Sequence, residues 1–196
     1  MQITSMPLVA EFSQEEQILV WDICNEPFAY NDDFPWKEMI QKYELEWLTR
    51  MAKRLRAGGV IQPLGIGSIG NEPMSVFGDI IDVYLTHLYY TGGPTEKFEN
   101  KVKRFVDEAK ANDKPLITSE CCWGSFDDKT RADIMETSLQ IFTKYDIGFV
   151  AHALQYCGCA DLHDTCDGRT SPEIGNLCFI MKDGSIRPYH EAFNKY

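Results

Sequence analysis

The chain has 196 residues, 44% hydrophobic and 25% charged, which is enough apolar side chain for a sizeable single core. A net charge of -11 argues against nucleic acid as a partner, because a phosphate backbone demands a basic face. No apolar run is long enough for a transmembrane helix, so no membrane span is expected. Met1–Gln17 carries acids and lacks a basic segment followed by a long apolar core, so it does not read as a signal peptide. The compartment stays open between secreted and cytoplasmic.

Leu8–Phe12 reads as a short helix. Ile18–Cys24 is an apolar, β-branched run expected to form a buried strand, and it stops abruptly at Asn25-Glu26-Pro27. Trp36–Ala57 has helical periodicity, with Met39, Ile40, Tyr43, Leu45, Trp47, Leu48, Met51, Ala52 and Leu55 as its apolar side and Gly58-Gly59 as its stop. Val60–Ile66 reads as a second strand, followed by a short helix near Met74–Asp79. Val83–Tyr89 is a third strand and Glu96–Ala111 a helix. Pro115–Ser119 is a fourth strand, Asp127–Tyr145 a helix and Ile147–Leu154 a fifth strand. Asp183-Gly184 makes a turn, and a last helix is expected over Pro188–Tyr196.

Strands that alternate with helices and are apolar throughout imply parallel pairing in an α/β fold. Both a doubly wound sheet and a (β/α)8 barrel of the TIM type fit that alternation. Gly65-x-Gly67-x-x-Gly70 matches a bare dinucleotide-binding pattern, but Asn71-Glu72-Pro73 follows instead of a helix of small residues. Those glycines are expected to form a loop, and the barrel is preferred.

The chemistry concentrates at two strand ends. Glu26 closes the first strand beside Asn25, and Glu120 closes Pro115-Leu116-Ile117-Thr118-Ser119. Cleaving a glycosidic bond needs one acid to protonate the leaving oxygen and a second carboxylate to attack or to activate water. Parallel strands of a barrel supply such a pair, because their C-terminal ends open onto one face. Two strands lie between those of Glu26 and Glu120, so the two acids are expected to face each other across a barrel mouth.

Trp21-Asp22-Ile23-Cys24-Asn25-Glu26-Pro27 resembles the acid/base strand of family 5 glycoside hydrolases and related members of their clan. Ile117-Thr118-Ser119-Glu120, followed by Trp123-Gly124, is similar to that clan's nucleophile strand. In the family these are the fourth and seventh barrel strands, the same three-place separation found here. The resemblance implies a retaining β-glycosidase acting on a glucan, mannan or related glycan. In it Asn25 binds the 2-hydroxyl, Glu26 is the general acid/base and Glu120 the nucleophile. Thr86-His87-Leu88-Tyr89-Tyr90 resembles the intervening strand that carries a His and a Tyr, so His87 lines the site and Tyr89 bonds the nucleophile. Asp183-Gly184-Ser185-Ile186-Arg187-Pro188 resembles the approach to the family's final helix. The resemblance implies no cofactor and no metal.

Less specific readings stand beside these. Glu26 also suits the first turn of a helix, and Glu120 a loop ion pair. His87 alone suits a hydrogen-bonded core histidine. Trp123 suits a sugar platform or a helix-facing core position equally, with Phe34 and Trp36 as flanking aromatics. Tyr89 and Tyr90 are expected to face opposite sides. Glu72 repeats the Asn-Glu-Pro motif one strand too late and reads as a rim residue. Of seven cysteines, Cys24, Cys121 and Cys122 read as buried thiols. Cys157, Cys159, His163 and Cys166 match no standard zinc spacing and, with Asp161, Asp164 and Asp167 among them, read as a polar loop or a loop disulfide.

The five strands correspond to the fourth to eighth of a full barrel, and the single domain expected over residues 1–196 is thus its C-terminal part. The family's early-strand arginine has no counterpart, and His152-Ala153-Leu154-Gln155-Tyr156 stands where the family usually has a tryptophan. A carbohydrate substrate is the expected partner, together with self-association or an N-terminal barrel segment that covers the open edges. The isolated chain is expected to have little activity, and the alternatives are a carbohydrate-binding remnant without turnover or a metal-stabilised scaffold.

Overall fold

The computed structural model of the protein describes residues 6–31, 33–70, 72–155 and 176–196. Its elements are α1 (Met6–Phe12), β1 (Trp21–Asn25), α2 (Lys37–Ala57), β2 (Leu64–Ser68), β3 (Tyr84–Leu88), α3 (Thr95–Ala111), β4 (Leu116–Cys121), α4 (Asp128–Lys144) and β5 (Gly148–Ala151). Single 3-10 segments cover Met74–Phe77 and His190–Lys195. None of the described helices is long and apolar enough to cross a membrane.

The strands form one parallel sheet in the order β1-β2-β3-β4-β5. Every strand therefore pairs with its neighbour in sequence. A doubly wound sheet reverses its strand order at a switch point, whereas a barrel does not. The order identifies the α/β arrangement as the barrel type, with five of a barrel's eight strands among the described residues.

Three expectations are corrected. The first strand begins at Trp21 rather than Ile18 and is half-exposed, not buried: it borders the described sheet, and Leu19 before it is 69% exposed. Gly65 and Gly67 lie inside β2, not in a loop, and only Gly70, at φ 79, turns the chain. They are strand residues because neighbours press on them: a Cβ on Gly65 would lie 2.5 Å from Leu85 Cδ1. The last helix is a 3-10 segment entered through Tyr189 at φ 67. The apolar side of α2 also buries less than its pattern suggests. Leu48, Met51, Ala52 and Leu55 are buried, while Met39, Tyr43 and Trp47 are exposed.

The chain divides into two compact units, Met1–His87 with Phe105–Ile117, and Leu88–Arg104 with Thr118–Tyr196. In the first, Val9, Ala52, Leu55, Val60 and Leu64 form a cluster against which Trp21, Ile23 and Ile80 pack. Gln62 is buried there with its amide in use: it accepts from Trp21 Nε1 at 3.0 Å and donates to Phe12 O at 3.0 Å and Glu15 O at 2.7 Å. That ties the end of α1 to the start of β1.

In the second unit Phe98, Phe142, Phe149 and Phe193 make a run of ring contacts with centroids 5.9–6.3 Å apart. Arg187 is fully buried, and its charge is met by Asp128 at 2.7 Å and by Ser125 O at 2.6 Å. Such a pair stabilises little in net terms, yet removing either partner leaves a buried charge. His190 packs edge-on against Phe179, with Nδ1 2.9 Å from Pro188 O. Burial pushes its imidazole down from 6.5 to about 4; the Pro188 bond opposes this, and Arg131 and Arg187 reinforce it. Below pH 6.5 the unfolded chain takes up a proton at this residue, and the folded protein does not until about pH 4. Urea unfolding should thus show stability present in full above pH 6.5 and falling between 6.5 and about 4, and His190→Gln should remove that part of the slope.

Candidate active site

At the end of β1 the pairing with β2 slips. Asp22 is opposite Gly65 and Asn25 opposite Gly67, so β1 carries one residue more than its partner. Such a bulge re-aims the side chains beyond it. Glu26 follows at φ 47, a left-handed conformation rare for a residue with a Cβ, and its N–H donates to Gly67 O at 2.7 Å. Asn25 stays exposed at the rim.

The bulge brings Glu26 to His87, with Oε1 and Nδ1 2.7 Å apart. The His87 side chain is 1% exposed and that of Glu26 is 32% exposed. One carboxylate oxygen is tied to a buried imidazole while the group as a whole still reaches solvent. His87 is thus a buried histidine hydrogen-bonded to Glu26. Beyond Glu26, Glu44 from α2 accepts from Phe28 N–H at 3.1 Å and from the Tyr30 hydroxyl. Burial and then Glu44 push the Tyr30 hydroxyl up to about 12. This clamp on the loop was not singled out from the sequence; Glu44 is one of several acids on a long helix and nothing in its spacing marks it. Phe34 stacks on Tyr30 at 5.4 Å and, like Trp36, keeps an exposed face.

A second arrangement forms at the end of β4. Glu120 Oε2 accepts from the Tyr89 hydroxyl at 2.7 Å. Thr118 Oγ1 accepts from Leu88 N–H at 3.2 Å and donates to Glu120 O at 2.9 Å, so a buried hydroxyl fixes the backbone that carries the acid. Tyr89 meets Trp123 edge-on at 5.1 Å and His152 at 6.5 Å. Tyr90, by contrast, has its hydroxyl on Gly93 O at 2.6 Å and its ring on Phe98. Trp123 is half-buried beside Tyr89.

The remaining candidates separate from these two groups. Glu72 bonds Gln41 at 3.3 Å and Lys37 at 3.5 Å on α2, as a rim residue does. Cys121 and Cys122 are buried thiols with their sulfurs 3.5 Å apart, and Cys24 is only half-buried. Cys157, Cys159, Asp161, His163, Asp164, Cys166 and Asp167 lie outside the described residues.

No protein-family model and no curated protein matches the sequence. Solved structures do match the fold. The chain is similar to a Lactobacillus rhamnosus beta-glucuronidase at TM-score 0.67 and 16% identity, covering 97% of this chain and 34% of that one. It is similar to a GH2 beta-galacturonidase from Eisenbergiella tayi at TM-score 0.69 and 13% identity, covering 92% and 33%. XacCel5A in complex with cellopentaose matches at TM-score 0.66 and 14% identity, covering 97% and 63%. The chain thus spans about a third of the two uronidases. At such identities the likeness establishes the fold, that of TIM-barrel glycoside hydrolases.

The β1 arrangement depends on the side chain that Gly67 lacks. A Cβ there would lie 2.6 Å from Asp22 Oδ2 and 2.7 Å from His87 Nε2. Gly67→Ala should therefore cost about 1–3 kcal/mol of stability, as overpacking does, read as a lower urea midpoint at unchanged m.

Proposed function

We propose that the chain carries the catalytic strand ends of a retaining β-glycoside hydrolase. The observation that carries the reading is that each glutamate is held by a partner from one strand region. His87 bonds Glu26 and Tyr89 bonds Glu120, both at 2.7 Å. Positions 87 and 89 are two apart, so in an extended chain their side chains leave on one face.

In this reading Glu26 protonates the departing glycosidic oxygen while Glu120 attacks the anomeric carbon and forms a glycosyl ester. Glu26 then takes a proton from the water that hydrolyses the ester. Tyr89 donates to Glu120 Oε2 and orients the carboxylate that attacks. Asn25 binds the 2-hydroxyl from the rim, and Trp123 offers a face to the sugar ring. The substrate is a β-linked glucan, mannan or related glycan, a class with which a cellopentaose-bound neighbour is consistent.

Exposure of the purified protein to activated 2-deoxy-2-fluoro glycosides of gluco, manno and glucurono configuration tests this. A covalent adduct mapped to Glu120 by peptide mass is expected with at least one. An adduct on another residue, or none from any probe once the chain is joined to the remaining barrel strands, would contradict it. Tyr89→Phe should lower kcat about 100-fold, the scale of one lost donor to a developing charge, with the adduct still on Glu120.

A further inference from the structure

The loop that leaves Glu26 is tied down at several points. Phe28 is buried and stacks on Phe77 with centroids 5.2 Å apart, and its N–H donates to Glu44 Oε2 at 3.1 Å. The Tyr30 hydroxyl donates to the other oxygen of Glu44, and Phe34 stacks on the Tyr30 ring at 5.4 Å. Backbone bonds from Tyr30 N–H to Phe28 O at 2.9 Å and from Phe34 N–H to Asn31 O at 3.0 Å turn the chain between these anchors. Around the two rings lies a hollow of about 400 Å³, lined also by Ala29, Asn31, Asp33 and Pro35. That volume is in the range of small-ligand sites. Ala29, where the hollow begins, is three residues past Glu26, so its Cα lies at most about 11 Å from that of the acid.

The lining defines the chemistry of an occupant. Two rings held in a stack offer a flat apolar surface, and Phe34 keeps 36% of its own surface open. Asn31 and Asp33, both exposed, add an amide that donates and accepts and a carboxylate that accepts. A pyranose has the matching pattern, with C–H groups across one face and hydroxyls around its edge. Trp36, just beyond Pro35, is 59% exposed and carries the aromatic surface further along the chain. None of the described lining residues is a cation, and the whole chain carries a net charge of -11. A uronic acid would therefore bring its carboxylate to Asp33 with no guanidinium or ammonium to pair with it.

We propose that this hollow binds one pyranose unit of a neutral β-linked glycan, extending the site at Glu26. Resting on the reading of Glu26 and Glu120 as a glycosidase pair, it narrows the substrate to a neutral glucan or mannan and sets uronides aside. The sugar ring lies against Phe34, and its hydroxyls bond Asn31 and Asp33.

Calorimetric titration of the purified protein with cellopentaose, with mannopentaose and with the C6-oxidised, uronic acid form of the cellopentaose chain tests this without needing turnover. At least one neutral pentasaccharide should bind, and the oxidised chain should bind at least 10-fold more weakly. Phe34→Ala should weaken the neutral glycan about 10-fold, the scale of one lost ring contact, and Phe34→Tyr, which keeps the ring, should bind like the wild type. Asp33→Lys should narrow the preference for the neutral chain. Unchanged affinity in Phe34→Ala, equal or tighter binding of the oxidised chain by the wild type, or no binding of any of the three would overturn the proposal. Loss of a dimer in Phe34→Ala with glycan affinity untouched would also overturn it, by assigning the rings to contact between copies of the chain. Binding through Phe34 without an adduct on Glu120 would keep the hollow and reject the catalytic reading. An adduct on Glu120 with affinity indifferent to Phe34→Ala would do the reverse.

Discussion

The hydrogen bond from Glu26 N–H to Gly67 O, 2.7 Å long, is the constraint on which the β1 strand end depends. It closes a bulge and holds Glu26 in a left-handed conformation that costs an L-residue about 1–2 kcal/mol. Strain of that kind persists only where surrounding contacts over-determine it, and here they do. Gly67 contributes its carbonyl to Glu26, its N–H to Asp22, and the absence of a side chain to His87. Three separate demands fall on one glycine, and only glycine meets the third.

The end of β4 solves a similar problem by different means. There a buried threonine hydroxyl grips the backbone of Glu120, and a phenol holds the carboxylate. An imidazole beside one acid and a phenol beside the other are not interchangeable. An imidazole nitrogen can donate or accept a hydrogen bond, which suits the acid/base role proposed for Glu26. A phenol with an ordinary pKa near 10 donates a hydrogen bond and keeps its proton, which suits a residue that must stay ionised to attack. In the proposed function, this difference in partners is matched to the different roles of the two glutamates.

Much of this was legible in the sequence, for identifiable reasons. Glu26 and Glu120 stand where apolar runs stop, and a strand end is easier to read than a strand's interior. The Tyr89 bond to Glu120 followed from the family resemblance, and alternation added only that Tyr90 would face the other way. β2 was misplaced toward Val60 because glycine has poor strand propensity, while Gly65 and Gly67 are strand residues for a reason visible only in three dimensions, the side chains of Leu85, Asp22 and His87 against them. The apolar side of α2 was legible but its exposed part was not, because periodicity reports which residues share a face, not what covers it.

The central claim is that Glu26 and Glu120 act as one catalytic pair, and the most direct measurement is the separation of their carboxyl groups in a crystal structure of the protein. The account predicts about 5–5.5 Å, the spacing of a retaining glycosidase. A separation of about 6.5–9.5 Å would replace retention by inversion, and one beyond that range would contradict the pairing itself.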